Sequence, residues 1–192
     1  PDFHARKLPD RVWRHSDRLN GVEAVIQLHR LREVIALVGF TRLEAVTPDI
    51  NGEYETDVER AQIAIEPSWF PAVENRGEGV FIRLRGKAVR DWLDRPAVRE
   101  RLNGLLAGHV RWAADHNTSR PFPGGPYVLL HTLSHLLMQS LAMRCGYPAS
   151  SIRERVYTDP EDDQLSGKPL TGSQADDQAL GSLLYRFGRL SE

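Results

Sequence analysis

The segment from Tyr127 to Met143, reading YVLLHTLSHLLMQSLAM, constrains the fold more than any other part of the chain. It is a long apolar helix with clear ends. A Pro/Gly-rich break, Asn117–Gly125, precedes it, so Pro126 or Tyr127 opens the helix. Cys145-Gly146-Tyr147 closes it, with Gly146 suited to a left-handed cap. An apolar helix in water must bury at least one face, and Leu130, Leu133, Leu137 and Leu141 are expected to face the core. The Asn117–Gly125 break is also the best internal boundary. It separates an α+β region, 1–120, from a mainly helical region, 121–192.

The upstream region reads as a small antiparallel sheet with flanking helices. Val22, Val25, Ile26 and Leu28 are helix-spaced, which predicts a short helix over 22–30 after Gly21. Val34 to Phe40 is β-branched and continuous, which predicts a buried strand. Asn51-Gly52 is a turn signal. Ala61–Glu66 alternates like a strand with one wet face, and Pro67 and Pro71 bracket Trp69-Phe70. Gly77-Glu78-Gly79 predicts a turn or bulge leading into a strand over Val80–Leu84. From Lys87 to His116 the pattern is helical, with Pro96 starting a second helix. Ala149–Glu154 predicts a short capped helix, and the chain after Tyr157 is acidic and loose until Ala179.

Overall charge excludes little. The formal net charge is −1, so there is no global basic footprint for nucleic acid. The distribution is uneven: residues 41–80 carry a net −6, residues 81–120 a net +5 and residues 158–192 a net −4. The basic middle block could face a phosphate backbone, or its charges could sit on ordinary solvated helices. Arg outnumbers Lys 22 to 3, and Arg is the residue that grips phosphate with a two-pronged fork. A single cysteine excludes an internal disulfide and suits a reducing cytoplasm. No signal peptide and no apolar run of the roughly 18 residues that span a bilayer is visible. The chain opens at Pro1 in mid-pattern and reads as a piece of a longer protein.

Two constellations could carry chemistry. His131 and His135 lie four apart, on one helix face, which is metal-ligand spacing. The zinc-protease pattern H-E-x-x-H is absent, because Thr132 stands where the general base would be. Structural histidines bonded to neighbouring backbone or acids are the competing reading. Cys145, ten residues beyond His135, is too far along a straight helix to share an ion, and a helix C-terminus disfavours a thiolate. His131, His135 and Cys145 are thus metal candidates that do not make a site by themselves. Second, Arg83, Arg85 and Lys87 fall on one strand face by alternation, with Arg90 following, and form a candidate phosphate track. A strand edge protected by charge explains them equally well. Trp69 and Phe70 could stack on an unpaired base or pin a loop to the core. No phosphate-binding loop of the G-x-x-x-x-G-K-S/T type occurs.

Three ordered blocks resemble DrmB-like proteins, which belong to DISARM anti-phage systems and related helicase-associated groups. They are Leu31–Leu43, Trp69–Leu84 and Leu129–Tyr157. A fourth, Leu165–Gly188, resembles the family's Gly-rich strand and turn, although Lys168 and Pro169 interrupt its apolar strand. The resemblance implies a helicase-associated domain over 121–192, truncated at its C-terminal end. It implies a cytoplasmic, non-catalytic subunit that joins the helicase subunit of the same defence system and helps it engage DNA, with no membrane partner. The related zinc-binding domain of MrfA-type helicases uses four cysteines. Zinc is therefore possible in a full-length protein, but no ligand carries over to this chain and no cofactor is expected in it. The rival readings are a metal-dependent hydrolase using His131 and His135, and an adaptor that contacts only protein.

Overall fold

Two long strands that pair over most of their length organise the fold. The computed structural model describes residues 3–41, 61–63, 68–146, 148–158 and 180–187. In chain order the elements are β1 (His4–Lys7), α1 (Asp10–Trp13), a 3-10 turn (Asp17–Leu19), β2 (Val22–Ala36), β3 (Gly39–Phe40) and β4 (Ala61–Gln62). They continue with β5 (Ala72–Leu84), α2 (Gly86–Leu93), α3 (Pro96–Asp115), α4 (Gly124–Cys145), a second 3-10 turn (Ala149–Ser151), β6 (Arg153–Tyr157) and β7 (Gly181–Phe187). Five strands form one antiparallel sheet in the order β1-β2-β5-β7-β6, and β3 pairs with β4 separately. The expected α+β architecture, an antiparallel sheet with flanking helices, is what the chain adopts. β6 and β7, both beyond residue 120, complete the sheet that β1, β2 and β5 begin. Among the described residues no helix is long and apolar enough to cross a membrane.

The helix expected over 22–30 is instead the first part of β2. Val22, Ala24, Ile26 and Leu28 alternate with Glu23, Gln27 and His29, a period of two that only Val25 obscures. Ala24 and Leu28 are buried on one face. β1 and β5 pair with this stretch on its two sides, and those ladders outweigh a weak helical periodicity. The strand expected over Val34–Phe40 is broken: β2 ends at Ala36, and Gly39-Phe40 pairs with β4. It is also not buried, since Val34, Ile35, Leu37, Val38 and Phe40 are all exposed.

Gly77 and Gly79 do not make a turn before β5. They lie within it, opposite Phe187 and Tyr185 of β7. A Cβ on Gly79 would meet the Leu184 carbonyl oxygen at 2.7 Å, and one on Gly77 would run into the Arg186 carbonyl. Close approach of β7, not a reversal, is what requires glycine here. The Ala61–Glu66 strand is present at Ala61–Gln62, while residues 64–67 and the Asn51-Gly52 turn lie outside the described residues. The helix expected over Ala149–Glu154 is only the 3-10 turn, after which the chain extends into β6.

The helical predictions rest on local signals. Pro96 occupies the first turn of α3, and Arg95 before it is extended (φ −68°, ψ 130°), as a residue preceding proline prefers. Gly146 caps α4 at φ 70°, and its N–H donates to the Ala142 carbonyl at 3.0 Å. Val89 and Leu93 of α2, Leu102 of α3 and Leu180 form a buried cluster, with Val128 and Leu129 of α4 packed against it. α4 then lies across β6 and β7.

The face that α4 buries differs from the leucine stripe expected for it. Leu130 is buried, but Leu133 and Leu137 are only half-buried and Leu141 is exposed. Ser134 and Met138 complete the buried stripe at one-turn intervals. Ser134 tolerates burial because its hydroxyl donates to the Leu130 carbonyl at 2.8 Å and contacts the Ser182 hydroxyl on β7.

Candidate functional site

α4 and the edge strand β6 bring three potential ligands together. His131 and His135 project one turn apart from α4. In β6, Arg153, Arg155 and Tyr157 are exposed, while Glu154 and Val156 turn inward. Glu154 thereby lies beneath the two imidazoles. Its Oε1 is 2.6 Å from His131 Nδ1 and 3.3 Å from His135 Nε2. The three ligand atoms all lie within 4.8 Å of one another.

The rings are held in place. Tyr127, one turn earlier on α4, stacks on His131 with centroids 5.4 Å apart and planes 12° from parallel. His131 and His135 meet edge to face at 4.5 Å. Thr132 donates its hydroxyl to the Val128 carbonyl at 2.7 Å, so it is occupied within the helix. The Glu154 side chain is only 18% exposed, against 41% and 55% for His131 and His135. Among the described residues, Glu154 Oε2 is buried without a hydrogen-bond partner, and His131 Nδ1, despite its closeness to Oε1, lacks an aligned one. A carboxylate buried this way is costly unless a proton or cation neutralises it.

Cys145 stands apart from this cluster. It is exposed at the last turn of α4 and borders a depression of about 180 Å³ lined by Leu28, Val80, Leu141, Ile152 and Leu184. Among the described residues, the group of three or more potential metal ligands is the His131–His135–Glu154 cluster, and Cys145 is not in it. The chain therefore has no cysteine cluster suited to zinc.

The candidate phosphate track is arranged differently from the expected single strand face, because β5 ends at Leu84 and Lys87 belongs to α2. Arg83 Nε sits 3.1 Å from Glu23 Oε2 across the strand pair. Arg85 donates to the Asn20 carbonyl at 2.9 Å, and Lys87 pairs with Asp91 at 2.7 Å, one turn on. Arg90 sits in α2, half-buried. Trp69 and Phe70 are exposed, so they do not pin a loop to the core.

Tyr185 of β7 pairs in register with Arg153 of β6. Burial raises its phenol pKa, and the nearby Glu33 carboxylate adds to that; Arg153 and Arg155 oppose it. In β5, the Arg76 guanidinium beside Glu74 lowers the pKa of that carboxylate.

Glu154 and Tyr127 are the site residues that the sequence reading missed. The signal for Glu154 was present in R-E-R-V-Y, where alternation puts it on the same strand face as Val156. An acid on the core face of a strand calls for a partner.

No family model matches the chain. The chain is similar to the DISARM protein DrmB of Bacillus paralicheniformis, with 32% identity over 168 residues. The match covers 83% of this chain and 28% of that protein. The chain is thus DrmB-like across most of its own length, while spanning little more than a quarter of the relative it resembles.

Proposed function

We propose that this chain is part of a DISARM defence protein and acts in the cytoplasm as a non-catalytic partner of the system's helicase subunit, helping that subunit engage DNA. The observation that carries the reading is the identity with DrmB across most of the chain. The sequence supplies no nucleotide-binding loop, which fits a subunit that leaves ATP hydrolysis to its partner. Arg83, Arg85, Lys87 and Arg90 are the residues we assign to phosphate contact. They cluster where β5 hands over to α2, and the ion pairs of Arg83 and Lys87 are partly exposed. Pairs of that kind are weak and can be exchanged for phosphate.

The test is co-purification of the full-length protein with the helicase encoded beside it, washed at high salt. Retention of the helicase supports the partnership, and loss from a monodisperse protein refutes it. DNA affinity of the complex is then measured against salt concentration. Each phosphate contact removed by substitution should flatten the log–log slope by about 1. An unchanged slope in the Arg83, Arg85, Lys87 and Arg90 variants would leave the partnership standing and remove these residues from the DNA interface.

A further inference from the structure

We propose that His131, His135 and Glu154 form a binding site for a divalent transition-metal ion of the zinc type, which ties edge strand β6 to helix α4. The argument starts from the short contact between His131 Nδ1 and Glu154 Oε1, 2.6 Å. The contact lacks the alignment of a hydrogen bond, so a proton on Nδ1 does not account for it, and two electron-rich atoms this close call for a positive centre between them. A second imidazole nitrogen, His135 Nε2, converges on the same oxygen at 3.3 Å. Two neutral imidazoles and one carboxylate make a ligand set suited to zinc, iron, nickel or copper, unlike the oxygen-only sets that magnesium and calcium prefer.

The dimensions fit with small side-chain rotations. Ligands at about 2.0–2.2 Å around a tetrahedral ion lie roughly 3.3–3.5 Å apart. The His135–Glu154 separation already has that value. The His131–Glu154 separation must open by several tenths of an ångström, and the remaining pair lies within 4.8 Å. Oε2 of Glu154, buried without a hydrogen-bond partner among the described residues, would gain an electrostatic partner in the same step. Tyr127 stacking on His131 sets the ring plane in advance. The partial exposure of both histidines leaves a further coordination position open to water. This site is separate from any cysteine-based zinc module, because all three of its ligands are nitrogen or oxygen. It stands independently of the helicase-partner reading.

The test uses the full-length protein, stripped with a chelator and reloaded with Co²⁺ or Zn²⁺, alongside His135→Ala and Glu154→Gln. The wild type should show cobalt d–d absorption of nitrogen/oxygen character, distinct from thiolate-to-cobalt charge transfer. Each variant should hold one equivalent less zinc, or bind it more than about 100-fold more weakly, a larger loss than the roughly 10–100-fold for an outer-shell partner. Equal metal content and identical cobalt spectra in wild type and folded Glu154→Gln would overturn the site and leave a plain His–Glu hydrogen-bonded cluster. Should His135→Ala fail to fold, Glu154→Gln, which preserves side-chain size, decides alone. A wild-type cobalt spectrum that shows only thiolate ligation would overturn the proposal without any variant.

Discussion

Ser134 on α4 and Ser182 on β7 join their hydroxyls in the most deeply buried region among the described residues, where the two residues are 0% and 1% exposed. Ser134 spends its one proton on the Leu130 carbonyl, so Ser182 is the donor in the bond between them. The pair fixes how far along the sheet α4 can slide, because a one-turn shift would leave the buried Ser182 hydroxyl without its acceptor.

Ser134→Ala should therefore cost about 1–3 kcal/mol, since it leaves the Ser182 hydroxyl buried without its acceptor, whereas Ser182→Ala should cost less, because Ser134 keeps its bond to the Leu130 carbonyl. The double variant Ser134→Ala/Ser182→Ala should cost less than the sum of the two. Urea unfolding of the three variants measures this, and strictly additive costs would mean that the hydroxyls do not depend on each other.

Leu130 is 1% exposed, whereas Leu133 is half-buried and Leu141 is 37% exposed. Leu130→Ala should lose about 2–5 kcal/mol and Leu141→Ala under about 1 kcal/mol, with Leu133→Ala between them. Thermal or chemical denaturation gives the ranking. A Leu141 cost equal to that of Leu130 would place α4 on a different face.

Gly146 at φ 70° has open space around its Cα. Gly146→Ala should therefore destabilise through backbone strain alone, by about 1–2 kcal/mol. Gly146→Asn should cost less, because asparagine tolerates the left-handed region. Equal losses for alanine and asparagine would argue against a left-handed cap.

Tyr185 carries a raised pKa, mainly from burial. A raised folded-state value means that the fold favours the protonated phenol. Stability from this residue is fully present below the unfolded tyrosine value of about 10. It declines as pH rises from there through the raised folded value. Stability should fall in that alkaline window, and Tyr185→Phe should reduce the decline. Identical alkaline profiles for wild type and Tyr185→Phe would show that the phenol ionises freely in the folded protein.

The elements legible from the sequence were those fixed by neighbours along the chain. The body of α4, although it starts at Gly124 rather than at Pro126 or Tyr127, its left-handed end at Gly146 and the start of α3 at Pro96 follow from backbone rules that act within a few residues. His131 and His135 share a helix face for the same reason. Tertiary structure decided the rest. Val22–Leu28 became strand because β1 and β5 flank it, and those partners lie far away in the sequence. α4 is rich in leucine on several faces, so its periodicity could not say which face would be covered. The meeting of Ser134 with Ser182, 48 residues on, made that choice. Glu154 joins the histidines only because β6 pairs with β7 beneath α4. Local sequence sets which backbone each segment prefers, whereas burial and pairing energies depend on contacts that exist only once the chain has closed on itself.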